Sequence, residues 1–117
     1  MRSIKIQFAP DQLPPLSELW DRLIKLTGLQ FDFEVEDGFF WIITHPSKPS
    51  FTVAARLEES NEFELGVPPL MPIGFVSGSI MFVLMEMGGE IDFEVPDWAG
   101  ISYQEAQRRG LEFFDVF

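Results

Sequence analysis

Asp32, Glu34 and Glu36 alternate with Phe33 and Val35, while Glu62 and Glu64 flank Phe63 and Asp92 and Glu94 flank Phe93. Successive side chains of a strand point to opposite sides, so carboxylates two residues apart share a face. Oxygen donors gathered this way suit three kinds of chemistry. They can collect a hard cation, share protons in acid–base catalysis, or attract a basic surface.

The first two chemistries lack parts. Asp32–Gly38 approximates a calcium loop, but its glycine falls one place late and Ile43 stands where the bidentate glutamate is due. Its carboxylates also read as a strand, so no metal site is expected. Acid–base pairs need a cleft that separates their pKa values, and nothing in the sequence builds one. His45 is the sole histidine and precedes Pro46 in what reads as a loop. Gly74-Phe75-Val76-Ser77-Gly78 has the wrong spacing for a nucleophile elbow and falls in a helical stretch. No glycine-rich phosphate cradle follows a strand, and no Walker lysine exists. Neither catalytic residues nor a cofactor are expected, and the chain reads as a non-enzyme.

The charge favours the third chemistry. The formal net charge is -11, from 19 acidic and 8 basic residues. Residues 1–30 are near neutral, residues 31–66 carry eight acidic against two basic side chains, and residues 67–100 carry five acidic and no basic ones. Such a field repels nucleic acid and anionic lipid and attracts basic proteins. The same acids would also keep a chain with 13 phenylalanines in solution, and composition does not choose between the two roles.

The elements that position these carboxylates follow from periodicity. Ile4, Ile6 and Phe8 alternate with Lys5 and Gln7 in a first strand. Leu16, Leu19, Trp20, Leu23 and Leu26 recur at helical spacing, with prolines at the entrance and Gly28 at the exit, which predicts a helix over about Pro15–Thr27. Asp37-Gly38 between two β-rich runs marks a two-residue hairpin turn pairing about Gln30–Glu36 with about Phe39–Thr44. After a loop at His45–Pro49, Phe51, Val53, Ala55 and Leu57 read as the buried side of a third strand of this group, and Glu62–Val67 as a fourth. A second helix spans about Gly74–Met87 and ends at Gly88-Gly89, followed by a short strand at Ile91–Val95. Ser102-Tyr103-Gln104-Glu105 fits a capping box for a last helix that exits at Gly110.

The order β-α-β-β-β-β-α, then a short strand and a C-terminal helix, predicts one α+β domain over residues 1–117. Its antiparallel sheet should carry helices on one face. In element order alone this resembles TBP-like and helix-grip topologies, which implies a fold and no function. Val95–Ala106 also resembles the opening of PASTA domains, which bind cell-wall fragments. That family continues into a longer helix and further strands for which residues 107–117 leave no room.

Two segments depart from plain amphipathic patterning. Phe75–Met85 carries no charge until Glu86, so that helix must be buried on nearly every side. It reads as a central core helix, with a dimer seam or ligand wall as the alternatives. Gly74 and Gly78 are four apart and could admit another backbone. In the hairpin, a two-residue turn sets Glu36 opposite Phe39, Glu34 opposite Trp41 and Asp32 opposite Ile43. Phe31, Phe33 and Val35 with Phe40, Ile42 and Thr44 then face the helices. The outer face would mix three carboxylates with three large apolar residues, as interface centres do. The C-terminal segment, with Trp98, Phe113, Phe114 and Phe117, is the other means of covering that face.

The candidate partner-binding residues are therefore Asp32, Glu34, Glu36, Phe39, Trp41, Ile43, Glu62 and Glu64. The expected activity is an acidic interaction protein, immunity- or inhibitor-like in character, engaging a basic protein or forming a homodimer. A small-molecule binder with a Phe- and Met-lined pocket between sheet and second helix is the alternative. With no cysteine, no secretory signal and no apolar run near the roughly 20 residues of a membrane span, a cytoplasmic setting without membrane partner is expected.

Overall fold

The computed structural model describes the backbone of residues 2–30, 32–36, 40–45, 48–67 and 73–110, and side chains within 3–30, 54–67 and 73–110. Strand β1 (Arg2–Gln7) leads to helix α1 (Leu16–Thr27), then β2 (Asp32–Glu36), β3 (Phe40–His45), β4 (Lys48–Leu57) and β5 (Glu62–Val67). Helix α2 (Phe75–Glu86), the two-residue strand β6 (Glu90–Ile91) and helix α3 (Tyr103–Arg108) complete the expected order. All pairings are antiparallel in one sheet ordered β2-β3-β4-β5-β1-β6.

Alternation assigns the faces of β1 and β5 without ambiguity. Ile4, Ile6, Phe63, Leu65 and Val67 are buried, while Lys5, Gln7, Glu62 and Glu64 take the other parity. Helix α1 lays Leu19 and Leu23 on that apolar face and stops where the Gly28 N–H reaches the Ile24 carbonyl at 2.7 Å. The Thr27 hydroxyl is buried but satisfied, donating to the Leu23 carbonyl at 2.8 Å and accepting from the Leu29 N–H. Arg56 tethers the start of the helix to the sheet, its Nε donating to the Pro14 carbonyl at 2.8 Å.

Helix α2 is the central core helix, with every residue from Phe75 to Met81 buried. One side meets α1 and the sheet. The other is covered by a strap formed by residues 92–110, from which Phe93, Val95, Trp98, Ile101, Tyr103 and Ala106 pack onto the core. This explains why β6 is shorter than the expected Ile91–Val95: Phe93 and Val95 leave the sheet to join the strap. Gly78 admits a side chain rather than another backbone. A Cβ there would lie 2.7 Å from the Trp98 ring, which also stacks on Phe75 with centroids 6.3 Å apart. Two residues on, a Cβ at Gly100 would meet the Phe82 ring at 2.7 Å. The strap and helix are thus matched by mutual omission of side chains.

Three further expectations about the sheet are corrected. Lys48 and Pro49 belong to β4, which begins earlier than expected, after a register shift at Thr44/His45. Within β4, Ala54 and not Ala55 joins the helix-side core, although both are buried. Strand β4 does alternate, with Ser50, Thr52 and Arg56 polar, but its register places the apolar positions Phe51, Val53, Ala55 and Leu57 opposite the parity of Ala54. The hairpin register also differs. Glu36 pairs with Phe40, Val35 with Trp41, Glu34 with Ile42, Phe33 with Ile43 and Asp32 with Thr44. Three residues separate the paired strands, against the two of the expected Asp37-Gly38 turn, and residues 37–39 lie outside the described ones. A slip of one residue exchanges the faces. Phe40-Trp41-Ile42-Ile43 is apolar throughout, so β3 fits either parity, and its pairing with β4 selects one.

The strap generates two predictions. Trp98→Ala should lower stability by about 3 kcal/mol, and Gly78→Val, which evicts the indole, should lower it comparably. A double-mutant cycle by denaturant unfolding should show the pair non-additive by at least about 1 kcal/mol; additive losses would mean that the ring does not rest on Gly78. Ser102 caps α3 by accepting from the Glu105 N–H, and Arg108 and Arg109 both donate to the Glu105 carboxylate. These two guanidinium hydrogen bonds lower the Glu105 pKa from 4.5 to about 2. A carboxyl depressed on folding contributes stability that is complete above 4.5 and is lost as pH falls toward 2. Glu105→Gln should therefore flatten the thermal-midpoint profile between pH 5 and 2 relative to the parent, and an unchanged slope would count against the pairing.

Candidate partner-binding face

The sheet registers combine into rows that cross all the strands. One row runs Ile4–Leu65–Ala54–Trp41–Val35 and another Thr52–Ile43–Phe33. The first holds Ile4, Leu65 and Ala54 of the helix-side core. The alternate rows are Lys5–Glu64–Ala55–Phe40–Glu36, Ser3–Gly66–Val53–Ile42–Glu34, Gln7–Glu62–Leu57 and Phe51–Thr44–Asp32. Among the described residues, no helix packs on the face those rows share, since the buried residues of α1, α2 and α3 all join the cluster built on Ile4, Ile6 and Leu65.

Five of the eight sequence-derived candidates therefore come together. Asp32, Glu34 and Glu36 occupy alternate positions of the edge strand β2, and Glu62 and Glu64 occupy the same face on β5. Trp41 and Ile43 do not join them. Their rows continue into the helix-side face, which corrects the expectation that they stand opposite Glu34 and Asp32. Phe39 lies outside the described residues. In place of these three, Phe40 and Ile42 of β3 and Phe51, Val53, Ala55 and Leu57 of β4 hold the rows between the carboxylates.

Among the described residues, charge pairing on this face is sparse. Lys5 stands directly across from Glu64 in register and reaches Glu62 at 4.0 Å, with its own side chain 62% exposed and that of Glu62 12%. Glu90 pairs with Gln7 on β6, so its position extends the acidic side to the opposite edge. Around Lys5, Gln7, Glu62, Glu90, Ile91 and Asp92 lies a surface depression of about 370 Å³. Glu90 and Asp92 were not among the candidates; the alternation Glu90-Ile91-Asp92 was the signal, one residue ahead of where the strand was expected to begin. Among the described residues, no group of three His, Cys, Asp or Glu side chains is placed to hold a metal ion. Ser77 is 1% exposed inside α2, and His45 ends β3.

Set beside protein-family models, curated proteins and solved structures, the chain matches none of them. No helix among the described residues is long and apolar enough to cross a membrane.

The corrected register makes a direct prediction for Trp41. With its row running through Ala54 and Leu65, Trp41→Ala should lower the unfolding free energy by about 3–5 kcal/mol, as loss of a core aromatic does. A denaturation midpoint unchanged within about 0.5 kcal/mol would restore Trp41 to the carboxylate face.

Proposed function

We propose that this chain is a non-enzymatic interaction protein that engages a basic protein partner through the carboxylate-bearing face of its sheet. One observation carries the reading. Asp32, Glu34, Glu36, Glu62, Glu64 and Glu90 hold register positions on the face that bears no described helix, and Lys5 is the cation placed among them by those rows. Carboxylates spread over strands at this density attract a cationic surface over several ångströms and bias encounter toward it. An apolar middle between charged margins matches the anatomy of an interface, in which dry contacts supply affinity and the margin supplies orientation. An inhibitor or immunity protein that occupies a basic, nucleic-acid-handling surface is the activity this resembles in character.

Self-association loses one of its supports. The apolar surface of α2, which argued for a dimer seam, is buried within the chain by the strap. The likeness of charge between two copies opposes their contact through the acidic face. Between sheet and α2, Phe63, Ile80, Met81 and Leu84 are each fully buried, which favours the surface reading over a small-molecule pocket there.

The test is retention of partners on the immobilised chain and on a Glu62→Lys/Glu64→Lys variant. The retained partner should have a basic isoelectric point and elute between about 0.1 and 0.5 M salt, where the screening length falls below about 10 Å. The double reversal should weaken it at least tenfold, roughly 1.4 kcal/mol. A partner that is acidic, indifferent to salt or held equally by the variant would overturn the reading.

A further inference from the structure

We propose that the strap of residues 92–110 is a releasable cover, which lifts from α2 as one unit while the sheet, α1 and α2 stay folded. Its first support is where its polar contacts close. The Ala99 N–H donates to the Pro96 carbonyl, the Ala106 N–H to that of Ser102, and the Arg109 and Gly110 N–H groups to those of Glu105 and Gln107. Among side chains, Ser102 accepts from the Glu105 N–H, Gln107 donates to the Tyr103 hydroxyl, and Arg108 and Arg109 hold the Glu105 carboxylate. All of these bonds begin and end inside the strap, so none of them ties it to the body. The strap follows directly on β6, whose two residues pair with Ile6 and Gln7 of β1.

What fastens the strap is apolar and keyed. Trp98 fills the notch at Gly78 and stacks on Phe75, whose ring also lies 6.4 Å from that of Tyr103, and Phe82 fills the notch at Gly100. This seam is the outermost layer of the core. Phe93, Val95, Trp98, Ile101 and Tyr103 are only partly buried, whereas Leu19 and Leu23 of α1, Phe63 and Leu65 of β5, and Ile80 and Leu84 of α2 are each at 0% exposure. The sheet, α1 and the near side of α2 therefore form a core of their own, and the layer with the wetter contacts opens before the whole. Helix α3 has six residues, too few to persist alone in water. Its seat through Ala106 and Tyr103 keeps it helical, so undocking and melting of the strap are one event. Lifting bares the side of α2 that carries Phe75, Gly78 and Phe82. That flank is a conditional apolar surface, shut while Trp98 is seated.

The chain has no cysteine, so a single introduced thiol reports exposure without background. Ala106 on the inner side of the strap and Ala54 in the sheet core are 2% and 1% exposed. Full chains carrying Ala106→Cys or Ala54→Cys would be labelled with a thiol reagent under native conditions, each rate divided by that of the same chain unfolded in urea. The thiol at position 106 should react at least tenfold faster than the one at position 54. Its rate should also depend less on added urea, because lifting the strap exposes less surface than unfolding. Trp98→Ala should speed labelling at position 106 at least tenfold, with Trp98→Phe serving in its place if that variant does not fold. Glu105→Gln should speed it severalfold. Ile4→Val, which trims the body at β1, should speed labelling at position 54 severalfold and leave position 106 within twofold. Equal protection and equal urea dependence at the two positions would overturn the proposal, since strap and body would then open as one. So would acceleration of both positions by Ile4→Val, or labelling at position 106 unmoved by the Trp98 substitution.

Discussion

A helix without a polar face has to be covered on every side, and the rest of this structure is arranged around that requirement. Between Phe75 and Met85 helix α2 offers no charged residue and therefore no side suited to water. The sheet and α1 cover part of its circumference. The strap of residues 92–110 closes most of the remainder, with Trp98 seated over Gly78 and Phe82 against Gly100, and leaves Met85 exposed in the last turn. The chain after α2 therefore turns back over the helix and leaves the sheet after the short strand β6. Each helix ends on the same side as a result.

That asymmetry fixes what is left for the other side of the sheet. Strands β1 and β5 are built for water on that side, with Lys5, Gln7, Glu62 and Glu64 at alternate positions. Strand β3 is apolar at both parities of its first four positions, β4 is apolar at alternate positions (Phe51, Val53, Ala55, Leu57), and both sit between β5 and the acidic edge strand β2. The carboxylates of β2 serve a second purpose there. Charged residues on an exposed edge oppose strand-to-strand aggregation, the hazard that these apolar positions would otherwise create. Charge at the margins thus protects the free chain and, on the proposed reading, orients a partner by the same field, which Lys5 compensates only in part among the described residues.

The parts of the fold legible in the sequence are those in which one residue decides one thing. Gly28 after a 3.6-residue apolar period ended α1 where expected, and Ser102 with Glu105 marked the start of α3. Strand β5 was legible to the residue because Glu62-Phe63-Glu64-Leu65 alternates cleanly. The burial of α2 followed from its composition alone. What covers it did not, since nothing local in Trp98 says that it pairs with a glycine twenty residues earlier. The hairpin failed for a definite reason: β3 is apolar at each of its first four positions, so only its partner β4 could set the parity. The site inherits that division. The carboxylates of β2 and β5 were placed on a common face by their own alternation, whereas the apolar residues between them were misassigned by one position.

The central claim is the proposal that the sheet face on which no described helix packs, rather than the helices or the strap, is the working surface of this protein. Backbone amide spectra of the isotope-labelled full chain, recorded as the basic partner retained on the immobilised chain is added, test it most directly. The account predicts shift changes clustered at Lys5, Ala55, Leu57, Glu62 and Glu64, with Ile80, Leu84 and Ala106 unmoved. Changes concentrated instead on α1, α2 or the strap, with the β5 carboxylate positions silent, would contradict it.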